Sequence, residues 1–226
     1  PEYVNRLYAM VRRHLSGDFH FVCLTDDATG IRPEVQCLPI PPLNLHLKPG
    51  QRDGAWKKLT TFEADLHGLT GTALFLDVDV VIVGSLDAFF EQPGEFIVIK
   101  EWDKKDGTGN TSCYRFTIGA HTDALEHLKK GYPQSIADVR NEQEYITGFL
   151  NRQGKVSYWP DAWCRSFKRH CMRPGILGWF SPPTIPPGAK IIVFHGKPNP
   201  PDVIAGVSGK WYRRVLPAQW VADHWR

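Results

Sequence analysis

The stretch Thr72-Ala73-Leu74-Phe75-Leu76-Asp77-Val78-Asp79-Val80-Val81-Ile82-Val83 sets two aspartates, one residue apart, inside an otherwise apolar strand. Bare carboxylates are costly to bury unless they are paired or bind a cation. In an extended chain Asp77 and Asp79 share parity, so both carboxylates leave the same face. Where the strand ends and bends, that face can clamp one hard divalent ion. Gly84-Ser85-Leu86-Asp87 then reads as a turn into a short helix, Leu86 to Phe90. The plainer reading is a strand whose acids cap a helix or pair with a lysine. Two acids this deep in an apolar run favour the cation.

Outward from this strand, helix and strand alternate. Val4, Leu7, Tyr8, Val11 and Leu15 recur at helical spacing between arginines, which predicts an amphipathic N-terminal helix. Phe19 to Leu24 reads as a strand closed by Thr25-Asp26-Asp27 and a Gly30 turn. Val35 to Ile40 reads as a short strand that Pro39 confines to an edge or an end. Pro41 to Gly54 reads as loop. Trp56, Leu59, Phe62, Leu66 and Leu69 predict a helix feeding the Asp77 strand. Strands follow at Phe96–Ile99, Cys113–Ile118, Val156–Trp159 and Lys190–Phe194, with helices near Asp123–Lys130 and Glu142–Leu150. This alternation predicts an α/β fold, a mostly parallel sheet with helices on both faces and its crevice at the strands' carboxyl ends. Asp26, Asp27, Asp77, Asp79 and His195 all fall at that edge.

At 226 residues the chain fits one domain, 1–226. Its 42% apolar and 23% charged content is that of a globular protein, and a net charge of +3 is too mild to imply nucleic acid. No apolar stretch approaches the roughly 20 residues that span a bilayer. Five cysteines, Cys23, Cys37, Cys113, Cys164 and Cys171, are odd in number and lack a Cys-x-x-Cys spacing. They read as free thiols in a reducing, cytoplasmic setting. Asn110-Thr111-Ser112 satisfies the glycosylation sequon, with nothing else arguing secretion.

The last strand runs into Phe194-His195-Gly196-Lys197-Pro198. Imidazole with carboxylate suits manganese-like ions, whereas carboxylate and water suit magnesium. His195 is therefore a candidate to complete the shell begun by Asp77 and Asp79. Gly196 would let the backbone approach a ligand, and Lys197 would bring positive charge to a phosphate.

Leu74 to Leu86 resembles the Asp-x-Asp segment of the glycogenin-like family of retaining glycosyltransferases, which includes bacterial lipopolysaccharide galactosyltransferases. The closing His-Gly-Lys-Pro resembles that family's C-terminal motif, and the likeness covers roughly Trp56 to Pro200. It implies a GT-A fold, a nucleotide-sugar donor, usually a UDP-sugar, a manganese ion and retention of anomeric configuration. The acceptor is expected to be a glycan or a lipid-linked glycan, its identity not disclosed by the sequence. On these positions Asp77, Asp79 and His195 match the metal ligands, and Lys197 matches the diphosphate-binding lysine. Glu142-Gln143-Glu144 resembles the family's acid-Gln-acid at a helix start, which would place Gln143 near the anomeric carbon and Glu142 on the donor's hydroxyls. Lys58 resembles the basic residue that reaches the donor phosphates. Asp27 is assigned to the nucleotide-sugar side of the same crevice.

The chain departs from the family in two places. No opening strand precedes Pro1, so the first strand of the fold is expected to be absent, and the His-Gly-Lys-Pro motif is short and lacks a tryptophan. Two other readings stay open. A haloacid-dehalogenase-type phosphatase also uses a strand followed by Asp-x-Asp, but it needs a later strand ending in an acidic pair, which is not seen. A sugar-binding protein of the same fold would suit the eight tryptophans. Arg165, Lys168, Arg169, His170 and Arg173 form a basic cluster near Trp163 and Trp179. It reads as a solvated face, a site for an anionic acceptor, or a peripheral dock on an acidic membrane.

Overall fold

The computed structural model describes residues 1–45, 54–208 and 215–226. Most of the expected loop from Pro41 to Gly54, and Trp211, lie outside the described residues. Helix α1 (Glu2–His14) is followed by β1 (Val22–Leu24), β2 (Gln36–Leu38), a 3-10 helix (Trp56–Phe62), β3 (Thr72–Leu76) and β4 (Val81–Ile82). Next come α2 (Asp87–Glu91), β5 (Phe96–Lys100), β6 (Gly109–Thr117), α3 (Thr122–Gly131), α4 (Glu142–Asn151) and β7 (Val156–Tyr158). The chain continues through β8 (Cys164–Ser166), a π-helical turn (Phe167–Cys171), β9 (Ile191–Val193), α5 (Pro200–Ile204) and α6 (Gln219–His224).

Three sheets form among the described residues, in the orders β1-β2, β3-β6-β5-β7 and β4-β9-β8. The α/β architecture is as expected, but the sheets are mixed where a mostly parallel one was expected. The pairs β1–β2, β5–β7 and β8–β9 are parallel, whereas β3–β6, β5–β6 and β4–β9 are antiparallel. The short link from Lys100 to Gly109 explains one reversal, because so brief a connection joins antiparallel neighbours only. Helices α3 and α4 supply the long crossover that brings β7 parallel to β5.

The apolar run from Thr72 to Val83 is not one strand. It pairs with β6 as far as Leu76, turns through Asp77–Val80, and enters the other large sheet as β4 beside β9. The helix expected from Trp56 to Leu69 is likewise shorter and tighter, a 3-10 helix that ends at Phe62.

Alternation along β5 shows how the core is divided. Ile97 and Ile99 pack in one apolar cluster with α1, β4 and β9, while Phe96 and Val98 pack in a second with α3 and α4. Successive side chains leave opposite faces of a strand, so β5 has a core on each side. On β6, Tyr114 and Phe116 join the second cluster and Cys113 the first. Phe75 on β3 stacks on Tyr114 at 4.7 Å between ring centroids.

His121, just before α3, is 1% exposed, with its ring edge-on to Phe62 and Phe96. Neither ring nitrogen has a hydrogen-bond partner among the described residues; the Glu95 backbone approaches without meeting hydrogen-bond geometry. Burial lowers the His121 pKa. The unfolded chain then binds the proton more readily, so this stability is full above the ordinary value near 6.5 and is lost as pH falls below it. His121→Phe is expected to flatten the loss of stability between roughly pH 7 and 5, and to add about 1–2 kcal/mol at pH 6 by removing two unpaired buried nitrogens. Urea unfolding of both proteins at several pH values measures it; parallel curves would refute it.

Candidate functional site

The turn after β3 presents Asp77 and Asp79 to two cavities. One, of about 330 Å³, is lined by Lys58, Asp77, Glu142 and Gln143, by Glu101, Asn110 and Ser112, and by Trp102, Arg169 and His195 among others. The second, of about 450 Å³, lies against Tyr3, Asp77, Val78, Asp79 and Asn199. Asp77 is the shared wall. Its backbone N–H donates to the Ser112 carbonyl at 2.9 Å, which extends the β3–β6 ladder one residue into the turn.

Lys58 reaches the first cavity from the 3-10 helix. Its ammonium stands 2.8 Å from Asp77 and 3.8 Å from Glu142, donates to the Thr111 carbonyl at 3.3 Å, and lies 5.1 Å from the centre of the Phe75 ring. The plainer sequence reading, an acid paired with a lysine, thus describes Asp77 as it stands. Asp79 is relieved by Lys58 only in part and forms no ion pair with it. Burial, and then the negative charge of Asp77, push its carboxyl up to about 6.

Helix α4 begins at the cavity. Asn141 caps it, accepting from the Glu144 N–H at 3.0 Å, which fixes the first turn so that Glu142 and Gln143 face inward. Glu142 is 8% exposed and is not the solvated acid of an open helix end. The Gln143 side-chain amide donates to Glu101 Oε2 at 3.4 Å, and Asn110 donates to the same oxygen at 3.3 Å. Glu144 is structural: Arg140 and Lys104 pair with it and hold its carboxyl down to about 2.

Glu101, Asn110 and Ser112 were not among the expected site residues. The β5–β6 register shifts between Val98, opposite Tyr114, and Ile99, opposite Asn110. This irregularity turns Asn110 and Ser112 toward the cavity and Thr111 toward Lys58. The only local signal there was the sequon, set aside as a chance triplet, and Asn110, Thr111 and Ser112 are 7%, 1% and 8% exposed, too buried to accept a glycan.

His195 lines the first cavity, but it is held by other partners. Its Nε2 is 2.7 Å from Ser166 Oγ, and its ring stacks on Trp102 at 5.9 Å. Burial and then the Lys168 charge lower its pKa, which favours neutral imidazole. Asp77, Asp79 and His195 are not gathered: among the described residues no three His, Cys, Asp or Glu side chains form a group able to hold a metal. Gly196 and Lys197 are exposed and line neither cavity, as is Asp27, whose carboxylate accepts from the Thr29 N–H at 2.8 Å. Gly196 has a φ of +62°, and a Cβ there would meet only the end of the Lys168 side chain at an ordinary contact distance of 3.6 Å, so its backbone angle, not a close approach, calls for glycine.

The basic cluster is only partly a solvated face. Arg169 pairs with Asp103 at the cavity, Lys168 donates to the His195 carbonyl, and the Ser166 N–H donates to His170 Nδ1 at 3.0 Å. Of the tryptophans, Trp159 and Trp225 are core, Trp102 lines the cavity and Trp179 is 42% exposed.

The mixed sheets, with a carboxylate turn beside a cavity at the head of a helix, define a GT-A fold. Over 99% of the chain and 91% of its counterpart, the structure superposes with a TM-score of 0.58 on the galactosyltransferase LgtC in complex with donor and acceptor sugar analogs, at 13% identity. An active-site mutant of LgtC gives a TM-score of 0.57 at 13% identity, over 98% of this chain and 90% of that one. No family model matches the chain, and neither does any curated protein. At this identity the likeness establishes the fold. It lends no support to the phosphatase reading.

Proposed function

We propose that the chain is a glycosyltransferase that moves a hexose from a nucleotide-sugar, a UDP-sugar, to a glycan acceptor with retention, assisted by a divalent cation. The observation that carries this is the convergence of Lys58, Asp77, Glu142 and Gln143 on one cavity of a GT-A fold. The donor set fits a cation in part. Asp79, its ionisation opposed by burial and by Asp77, is a site that a dication would relieve. Asp77 and Asp79 would hold it, with manganese favoured over magnesium if His195 leaves Ser166 to join them. When bound, the ion supplies Lewis-acid charge to the departing diphosphate.

The chain's own residues do the remaining work. Lys58, poised between two carboxylates, places an ammonium where negative charge grows on the leaving group. Glu142, buried beside it, accepts hydrogen bonds from sugar hydroxyls. Gln143, oriented by donation to Glu101, faces the cationic anomeric carbon through its amide oxygen. An amide is a poor nucleophile, so the acceptor attacks from the face the diphosphate leaves, and its proton passes to the departing phosphate. The second cavity, with Tyr3 on its wall, has room for the nucleoside. Trp102 and Arg169 line the acceptor side, suiting an anionic or lipid-linked glycan. Among the described residues no helix is long and apolar enough to cross a membrane. We place the enzyme in the cytoplasm, with the basic face and Trp179 as its contact to an acidic membrane.

A UDP-sugar with manganese is expected to raise the melting temperature, and EDTA to erase the shift, because a ligand that binds only the native state stabilises it. Incubation with UDP-hexoses should release UDP, and transfer to an acceptor array should follow. Orthophosphate release from phosphomonoesters, with no stabilisation by any nucleotide-sugar, would overturn the proposal.

A further inference from the structure

Cys23 and Cys37 are register partners in the parallel pair β1–β2. Partners in register send their side chains from the same face, so two thiols stand side by side. The strands are fastened on either side of them: the Gln36 N–H donates to the Phe21 carbonyl and the Thr25 N–H to the Leu38 carbonyl, both at 2.9 Å. Neighbouring strands run about 4.8 Å apart, inside the roughly 4.4–6.8 Å between Cα atoms that a disulfide spans. Burial, and then negative charge on Cys37, disfavour ionisation of Cys23, the second as expected of adjacent thiols.

Exposure separates this pair from the other cysteines. Cys23 and Cys37 are half-buried and within reach of a small reagent, whereas Cys113, Cys164 and Cys171 are buried. Cys113 and Cys164 also touch, but at 0% and 2% exposure they are closed to an oxidant unless the core opens.

We propose that Cys23 and Cys37 form a dithiol–disulfide couple that low-molecular-weight disulfides oxidise in the folded protein. One thiolate attacks a sulfur of oxidised glutathione, releasing one glutathione thiolate and leaving a mixed disulfide. The second thiolate attacks the protein sulfur of that mixed disulfide and releases the other glutathione. Two electrons and two protons pass from the cysteine pair to glutathione. Side chains leaving adjacent strands in parallel start farther apart than the roughly 3.8 Å common between bridged Cβ atoms. The strands must twist locally to close the bridge, which makes it readily reducible. The proposal stands apart from the glycosyl-transfer reading.

Thiol counting on the native protein tests it. Two thiols should react quickly and the other three only in denaturant. After oxidised glutathione the quick thiols should fall from two to none, the mass by two hydrogens, and a chymotryptic digest, cut after Leu24, should hold the Cys23 and Cys37 peptides joined, all reversed by dithiothreitol. Cys37→Ser and Cys23→Ser should instead accumulate a glutathione adduct on the remaining thiol. Phenylarsine oxide, which bridges adjacent thiols, should block both in the unsubstituted protein at one equivalent. Adducts on both cysteines without a cross-link, chains joined to one another, or a bridge that forms only in denaturant would each overturn the proposal.

Discussion

Asp77→Asn is expected to lower glycosyl transfer about 1,000-fold, roughly 4 kcal/mol of transition-state stabilisation, and to leave the fold intact. The substitution keeps the volume of the side chain and removes one charge from the wall shared by both cavities. Two effects combine. A cation would lose one of its two carboxylates, and Lys58 would lose the partner that stands 2.8 Å from its ammonium. The cost in stability should be small, about 1 kcal/mol or less, because the pair is partly solvated. Calorimetric titration with manganese separates binding from turnover, and Asp77→Asn should bind the ion weakly even without donor. Wild-type turnover in Asp77→Asn with manganese would remove Asp77 from the mechanism.

Arg115→Leu is expected to cost about 3 kcal/mol of stability, roughly 6–12 °C in melting temperature for a domain of this size. Arg115 is 8% exposed on β6 and points away from Tyr114 and Phe116, toward the end of α2. Its guanidinium donates to the carbonyls of Phe89, Phe90 and Gly94 at 3.0, 3.1 and 2.9 Å. Phe89 and Phe90 lie in the last turn of α2, whose carbonyls lack partners within the helix and carry the negative end of its dipole. Leucine would restore apolar volume and leave three carbonyls without this donor. Arg115→Lys should recover only part of the loss, since one ammonium does not reproduce a planar fork. Urea unfolding at pH 7 measures both variants; a loss below about 0.5 kcal/mol in Arg115→Leu would mean that solvent satisfies those carbonyls.

Much of this protein is a direct consequence of local sequence. The helical spacing of Leu7 and Val11 yields α1, with its apolar side in the core. Asn141 followed by Glu144 starts α4 where expected, because a cap and the N–H that donates to it act within one turn. Two aspartates in an apolar run had to meet a cation or a cation-bearing side chain, and Asp77 meets Lys58. Those features depend on contacts a few residues apart or on a charge that burial forbids to stand alone.

Tertiary structure decided what depends on distant pairing. Periodicity cannot tell that Leu76 and Val81 belong to different sheets, because strand partners 37 to 111 residues away choose the break. The β5–β6 register shift brings Asn110 and Ser112 to the cavity, and no local pattern encodes it. His195 had the right residue type at the right strand end, yet Ser166 and Trp102 from other elements set where its nitrogen points. Composition and spacing named the chemical groups; long-range register determined which of them share a cavity.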